Sequence, residues 1–245
     1  MQRLIVANWK MHGSLNKVKH DLKIYAENPI TNNSHVVISL PSVFLSEANN
    51  MRERINARYQ IAAQDVSQFK DGGAYTGEVS AAMLKDFNVS YVIVGHSERR
   101  TYFNESGSVL TNKLDNCLSG NIKPIFCIGE QLAIRQNGTH LHFLSEQLEL
   151  LLQLKVYFNE LIIAYEPVWS IGSGVIPQVS DISQVVHLIS AFMQNYLPHV
   201  KITVLYGGSV SEGNAKGILN IDGLGGLLVG GASLFTDRFT AICSV

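Results

Sequence analysis

The sequence predicts an α/β protein built on a parallel sheet, with eight strand-plus-helix units in succession. Three observations carry this reading. Short apolar runs rich in branched residues recur at residues 4–7, 36–40, 60–63, 91–94, 124–128, 161–165, 202–206 and 226–229, spaced roughly 25 to 35 residues apart. Helix-like patterns lie between them. The runs are continuously apolar rather than alternating, as expected of parallel strands covered on both faces. At 245 residues the chain also matches one (β/α)8 barrel of about 250 residues. An open doubly wound sheet has the same alternation, so periodicity alone leaves closure of the ring undecided. Both architectures bind ligands at the carboxyl ends of their strands, where the chemistry is therefore to be sought.

The helix between the sixth and seventh runs is the clearest. Over residues 181–196, Ile182, Val185, Val186, Ile189 and Met193 share one face, with Asp181 placed as the cap. Residues 141–154 form another, rich in leucine, with Glu146 and Glu149 turned outward. No linker or shift in composition divides the chain, which reads as a single domain over residues 1–245. Apolar residues make up 46% of it and the formal charge is −1, which gives an ample core and no bias toward nucleic acid or an acidic membrane surface. No stretch approaches the roughly 18 uninterrupted apolar residues of a membrane span. The opening MQRLIVANWK turns polar too soon for a secretory signal. Three cysteines without CxxC spacing point to free thiols in a reducing cytoplasm, so a cytoplasmic protein is expected and the Asn-x-Ser/Thr triplets are chance.

The most informative stretch is LIIAYEPVWSIGSG, residues 161–174. Its apolar half reads as a buried strand. Proline biases the residue before it toward an extended backbone, which places Glu166 at the strand's carboxyl end, facing out. Pro167, Val168, Trp169, Ser170, Ile171, Gly172, Ser173 and Gly174 then have an apolar tip and a flexible far end, the composition of a hinged lid. A carboxylate under such a lid is expected to lose hydration, rise in pKa and become a stronger base. After the first run come Asn8, Trp9 and Lys10, where the lysine can hold a positive charge over the sheet's mouth. After the fourth comes GHSERR, with His96 at a strand end and a helix start, whose positive end favours neutral imidazole. YGGSV follows the seventh run and GGAS the eighth. Paired glycines at two adjacent strand-to-helix junctions let backbone N–H groups approach an anion, and a small phosphorylated substrate is expected.

At these residues the chain resembles the triosephosphate isomerase family along nearly its whole length. The matching strings are Asn8-Trp9-Lys10, GHSERR, AYEPVW, SIGSG, YGGSV and LVGGASL, in one order. The resemblance, not the spacing, implies a closed (β/α)8 TIM barrel that interconverts dihydroxyacetone phosphate and glyceraldehyde 3-phosphate without metal or organic cofactor. It implies Glu166 as base, His96 as neutral donor, Lys10 as cation and Asn8 as its assistant, with Glu98 and Ser97 orienting them. It implies phosphate binding by Gly172, Ser209, Gly230 and Gly231 beside Asn8 and Lys10. It also implies a homodimer in which the loop 65–78, from Asp65 to Glu78, enters the neighbouring subunit. That loop follows Gln64 and carries Thr76 within GAYTGE.

Some positions depart from the family pattern. Val175 stands where lysine is common, and Ser170 and Ser173 replace alanine and threonine. Gly225 replaces an aspartate and Ser190 its arginine partner, a joint loss that strands no charge. Looser packing is expected between that helix and the eighth strand. His140 and His142 have no third ligand in range and read as solvated, and Cys127 reads as a small packing residue near the site. A metal-dependent epimerase would need clustered His/Asp ligands at strand ends, and a Schiff-base aldolase a lysine within a strand. Neither pattern is present in the sequence. A barrel kept only for binding would have lost Lys10, His96 or Glu166, and all three stand.

Overall fold

The computed structural model describes residues 2–27, 34–173 and 175–245. Among these, eight strands form one closed ring in which each pairs in parallel with its sequence neighbours. They are β1 (Arg3–Asn8), β2 (Ser34–Leu40), β3 (Gln60–Ala63), β4 (Tyr91–Val94), β5 (Lys123–Ile128), β6 (Glu160–Tyr165), β7 (Lys201–Tyr206) and β8 (Leu224–Val229). Pairing of β1 with β8, from Leu4 opposite Gly226 to Ala7 opposite Val229, closes the barrel and rules out the open sheet. The helices are α1 (Leu15–Glu27), α2 (Leu45–Arg54), α3 (Ala81–Asp86), α4 (Ser97–Phe103), α5 (Gly107–Ser119), α6 (Leu132–Gln136), α7 (His140–Glu149), α8 (Val179–Tyr196), α9 (Ala215–Leu219) and α10 (Thr236–Cys243).

Two cores follow from the period-two alternation of strand side chains. Inward residues such as Val6, Val37, Ile93, Cys127, Ala164 and Leu205 fill the ring. Outward ones such as Ile5, Ile38, Val92, Phe126 and Ile163 meet the helices. On α8 the predicted face is buried at Ile182, Val185, Val186, Ile189 and Met193. Asp181 is not its cap, however. Gln178 caps the helix, and Asp181 is the reciprocal partner that accepts from the Gln178 N–H at 3.1 Å. The helix predicted over residues 141–154 ends at Glu149 and tightens into a 3-10 turn, Leu150–Gln153. Between β7 and β8 the register slips: Val204 faces Leu224 and Leu205 faces Gly226, which leaves Gly225 as a bulge. Among the described residues no helix is long and apolar enough to cross a membrane.

Candidate active site

The carboxyl ends of β1, β4, β6, β7 and β8 open into one cavity of about 340 Å³, which Asn8, Lys10, His96, Glu166, Gly172, Ser209, Gly230 and Gly231 all help to line. These predicted residues are thus brought together, with Ser97 and Glu98 just outside. It borders a neighbouring cleft beside Asn8, Lys10 and His96.

Lys10 follows β1 in a left-handed backbone conformation (φ 53°), uncommon for a side chain with a Cβ. The Asn8 carbonyl oxygen Oδ1 accepts the Lys10 N–H at 3.0 Å and fixes this turn, which leaves the Asn8 amide NH₂ for a ligand. The ammonium Nζ donates to Glu98 Oε1 at 2.5 Å. His96 is the N-cap of α4, where its Nδ1 accepts the Glu98 N–H at 3.2 Å. An Nδ1 that accepts cannot carry a proton, so the imidazole is neutral with its hydrogen on Nε2. That nitrogen lies 2.9 Å from Glu166 Oε1.

Glu166 follows β6, but its side chain does not face solvent: the residue is 1% exposed. Its N–H is tied to Ile128 O, and its Oε2 accepts the Ser97 N–H at 2.8 Å. Neighbouring strand ends make room for it with glycine. A Cβ on Gly129 would lie 1.9 Å from Glu166 O, and one on Gly207 would lie 3.1 Å from its Cγ. In this arrangement, with Glu166 held at His96, its pKa is not raised. Burial does push it up, but His96, the Ser97 N–H and Lys10 outweigh burial and hold the carboxyl below its usual range. Burial disfavours imidazolium, but Glu166 and then Glu98 outweigh it, so the His96 pKa is raised while Glu166 stays beside it. The coupling lasts only while Glu166 stays at His96.

The anion end is built from backbone. Gly230 and Gly231 open a 3-10 turn, Gly231–Leu234, directly after β8, the short extra helix such barrels use to bind phosphate. Ser209 lies across from it on the loop after β7, with its Oγ donating to Ser170 O at 2.5 Å. Of the lid, Val168–Ser170 form a 3-10 turn, while Gly172 and Ser173 extend into solvent. Gly172 reaches the cavity edge, whereas Ser173 Oγ donates back to Trp169 O at 3.0 Å. Gly174 lies outside the described residues.

One member of this machinery escaped the sequence reading. Glu130, fully buried, accepts from Tyr165 OH and Trp169 Nε1, both at 3.0 Å, and from Arg135 at 3.3 Å. It anchors the start of the lid to the wall of the barrel. The signal available was a lone acid in IGEQ, two residues past the end of β5 and one beyond the strand-end position that drew attention to Glu166. His140 and His142 lie away from the cavity; His142 is solvated beside Glu146 as expected, whereas His140 is half-buried, its Nε2 against Gln184 and its Nδ1 shielded from solvent. Cys127 is buried in the ring, with its thiol pKa pushed well up by burial and by Glu166.

A closed eight-stranded parallel barrel with a buried carboxylate, an imidazole and a lysine at the carboxyl ends of its strands defines the class of (β/α)8 barrels with a candidate site at that face. The family model for triosephosphate isomerase matches residues 3–245. A triosephosphate isomerase of Orientia tsutsugamushi (strain Boryong) is 40% identical over 99% of this chain and 97% of its own length. One from Neisseria meningitidis serogroup A is also 40% identical, with the same coverage. The crystal structure of triosephosphate isomerase from Bartonella henselae superposes with a TM-score of 0.89 at 32% identity, covering 100% of this chain and 98% of that one. The chain belongs to the triosephosphate isomerase family.

Proposed function

We infer that this chain is an intramolecular aldose–ketose isomerase that interconverts dihydroxyacetone phosphate and D-glyceraldehyde 3-phosphate, a step of glycolysis and gluconeogenesis. The observation that carries the reading is the convergence of Glu166, His96, Lys10 and a glycine-built anion end in one cavity of about 340 Å³, room for a triose phosphate. Glu166 removes the proton from the carbon beside the carbonyl, and negative charge moves onto oxygen as an enediolate forms. The Nε2–H of His96 and the ammonium of Lys10 stabilise that oxygen. His96 gives its Nε2 proton to the charged oxygen and takes the hydroxyl proton from the neighbouring oxygen, and Glu166 then returns its proton to the adjacent carbon, which completes the exchange of aldose and ketose.

Substrate binding must displace contacts that the empty site makes to itself. Lys10 gives up Glu98 for the substrate, and Glu166 gives up the Ser97 N–H and turns toward carbon. Closure of the lid then excludes water, from which an enediolate phosphate would otherwise take a proton or lose its phosphate. Ser97 and Glu98 act by holding these groups ready. Gly172, Ser209, Gly230 and Gly231 bind the phosphate chiefly through N–H and hydroxyl groups. An assay supplying glyceraldehyde 3-phosphate, with reduction of the ketose product followed by NADH absorbance, tests the reading. Turnover should be present and fall roughly 10²–10⁴-fold in Glu166→Gln. A folded protein without turnover, or a variant as active as the parent, would refute it.

The chain is also proposed to act as one domain, in the cytoplasm, and as a homodimer. Met11 and Phe103 are largely exposed and flank the cleft beside Lys10 and Glu98. In the loop 65–78, Phe69 and Tyr75 stack with ring centroids 3.7 Å apart and present a stiff apolar tip. Insertion of the partner's loop into that cleft would cover both. Neither a nucleic acid nor a membrane has a matching surface in this reading.

A further inference from the structure

The opposite end of the barrel, at the strands' amino termini, holds a second cavity of about 430 Å³. Its floor is the lowest layer of the barrel interior. Leu4, Tyr91 and Ile162 point inward there and each remain 8% exposed, whereas the layers above are sealed. Its width traces to Gly225. This bulged residue adds no side chain to the wall, at a position where Thr203 Cγ2 would be 2.7 Å from any Cβ.

The rim is polar and carries an excess of positive charge. Arg3, Lys123 and Lys201 face a single carboxylate, Glu160. Arg3 is committed to the carbonyls of Leu219 and Leu224. Lys123 Nζ lies 2.9 Å from Glu160, and Lys201 is the register partner of Glu160 on β7. One carboxylate is therefore flanked by two lysines. On the floor, His35 Nε2 and Tyr91 OH share a hydrogen bond of 3.0 Å. Burial and Lys123 hold the His35 pKa down, so this pair is neutral and polar. An apolar floor, one polar handle and an uncompensated cationic rim form a concave site of the size small organic ligands occupy, about 300–1,000 Å³.

We propose that this amino-terminal mouth binds a small monoanionic amphiphile, a carboxylate with a flat apolar body, as a second ligand site remote from the catalytic one. The body rests on Leu4, Tyr91 and Ile162, and the carboxylate completes the charge between Lys123 and Lys201. A ligand so placed touches the first residues of several strands at once and stabilises the native ring by mass action.

The test uses naphthalene-2-carboxylate as probe, by calorimetric titration of the intact protein with the active site saturated by glycerol 3-phosphate. One probe should bind per chain and raise Tm. The neutral amide of the same ring system should bind several-fold more weakly. Lys123→Gln combined with Lys201→Gln should weaken the carboxylate about tenfold, the scale of two partly exposed charge contacts, and leave isomerase turnover unchanged. Methyl resonances of Leu4, Ile162 and Leu224 should shift. No saturable binding with the active site filled, equal affinity for the amide, an unaffected double variant, or shifts confined elsewhere would each overturn the proposal. Failure of the isomerase assay would leave these readouts intact.

Discussion

Glu166 is restrained by His96 and the Ser97 N–H, the groups that the proposed mechanism requires it to leave. Its depressed pKa makes the contact with His96 and Ser97 a contribution to stability that is full above the ordinary carboxylate range and lost as pH falls through the lowered value. In the proposed bound state the carboxylate leaves His96 and the Ser97 N–H while burial persists, so its pKa is expected to climb with Lys10 alone opposing. A carbon-13 titration of labelled Glu166 should therefore give a value below the usual range in the free protein and a higher one with glycerol 3-phosphate bound. No change on binding would mean the carboxylate does not move. The sequence led to the second state only. Glu-Pro-Val-Trp shows a base and a lid, but the N–H that restrains the base is 69 residues away, and only the fold makes them neighbours. The same applies to Gly129, which reads as a turn glycine until Glu166 O is found where its Cβ would be.

Elements contribute through what ties them together. The lid begins on Glu130, and Glu130→Ala would leave Tyr165 OH, Trp169 Nε1 and Arg135 without their shared acceptor. Loss of one member of a buried charged network typically costs about 3–5 kcal/mol, so chemical denaturation should show a large drop in stability. A second tie lies under the loop 65–78, where Lys113 pairs with Asp65 and Glu105, both at 2.6 Å, and Arg99 binds the same two acids. Lys113 is set among Leu110, Leu114 and Cys117 on the buried face of α5, a cation that the sequence reading passed over. The contact of α8 with the start of β8 is expected to be the weak one, because no charged pair joins Ser190 and Gly225 and the ladder carries a bulge. Amide exchange there should run faster than in β1, β2 or β6, and equal protection would refute this. The long apolar face of α8 was legible because eighteen residues repeat the period often enough. Its first turn was not, because Gln178 and Asp181 are both plausible caps. The bulge was invisible, since adjacent glycines read alike in turns and in strands.

At the scale of the whole molecule, parallel strands and eight units could be read from the chain, whereas closure could not, because an open sheet has the same pattern. The dimer belongs to this scale too. Met11→Glu with Phe103→Glu would place four carboxylates across a two-fold interface, so light scattering should show a shift to monomers at micromolar concentration, with lower turnover. An unchanged dimer would mean that another face makes the contact. Closure itself has a bearing on how the molecule comes into being. Ring closure joins Leu4 to Gly226, and the Arg3 guanidinium reaches the carbonyls flanking α9 and β8. During synthesis β1 therefore waits with an unpaired edge until β8 has emerged, some 220 residues later by the separation of those bonded groups. The interval in which this protein can add strands to a stranger is set by the time the ribosome takes to reach the residue that shuts the ring.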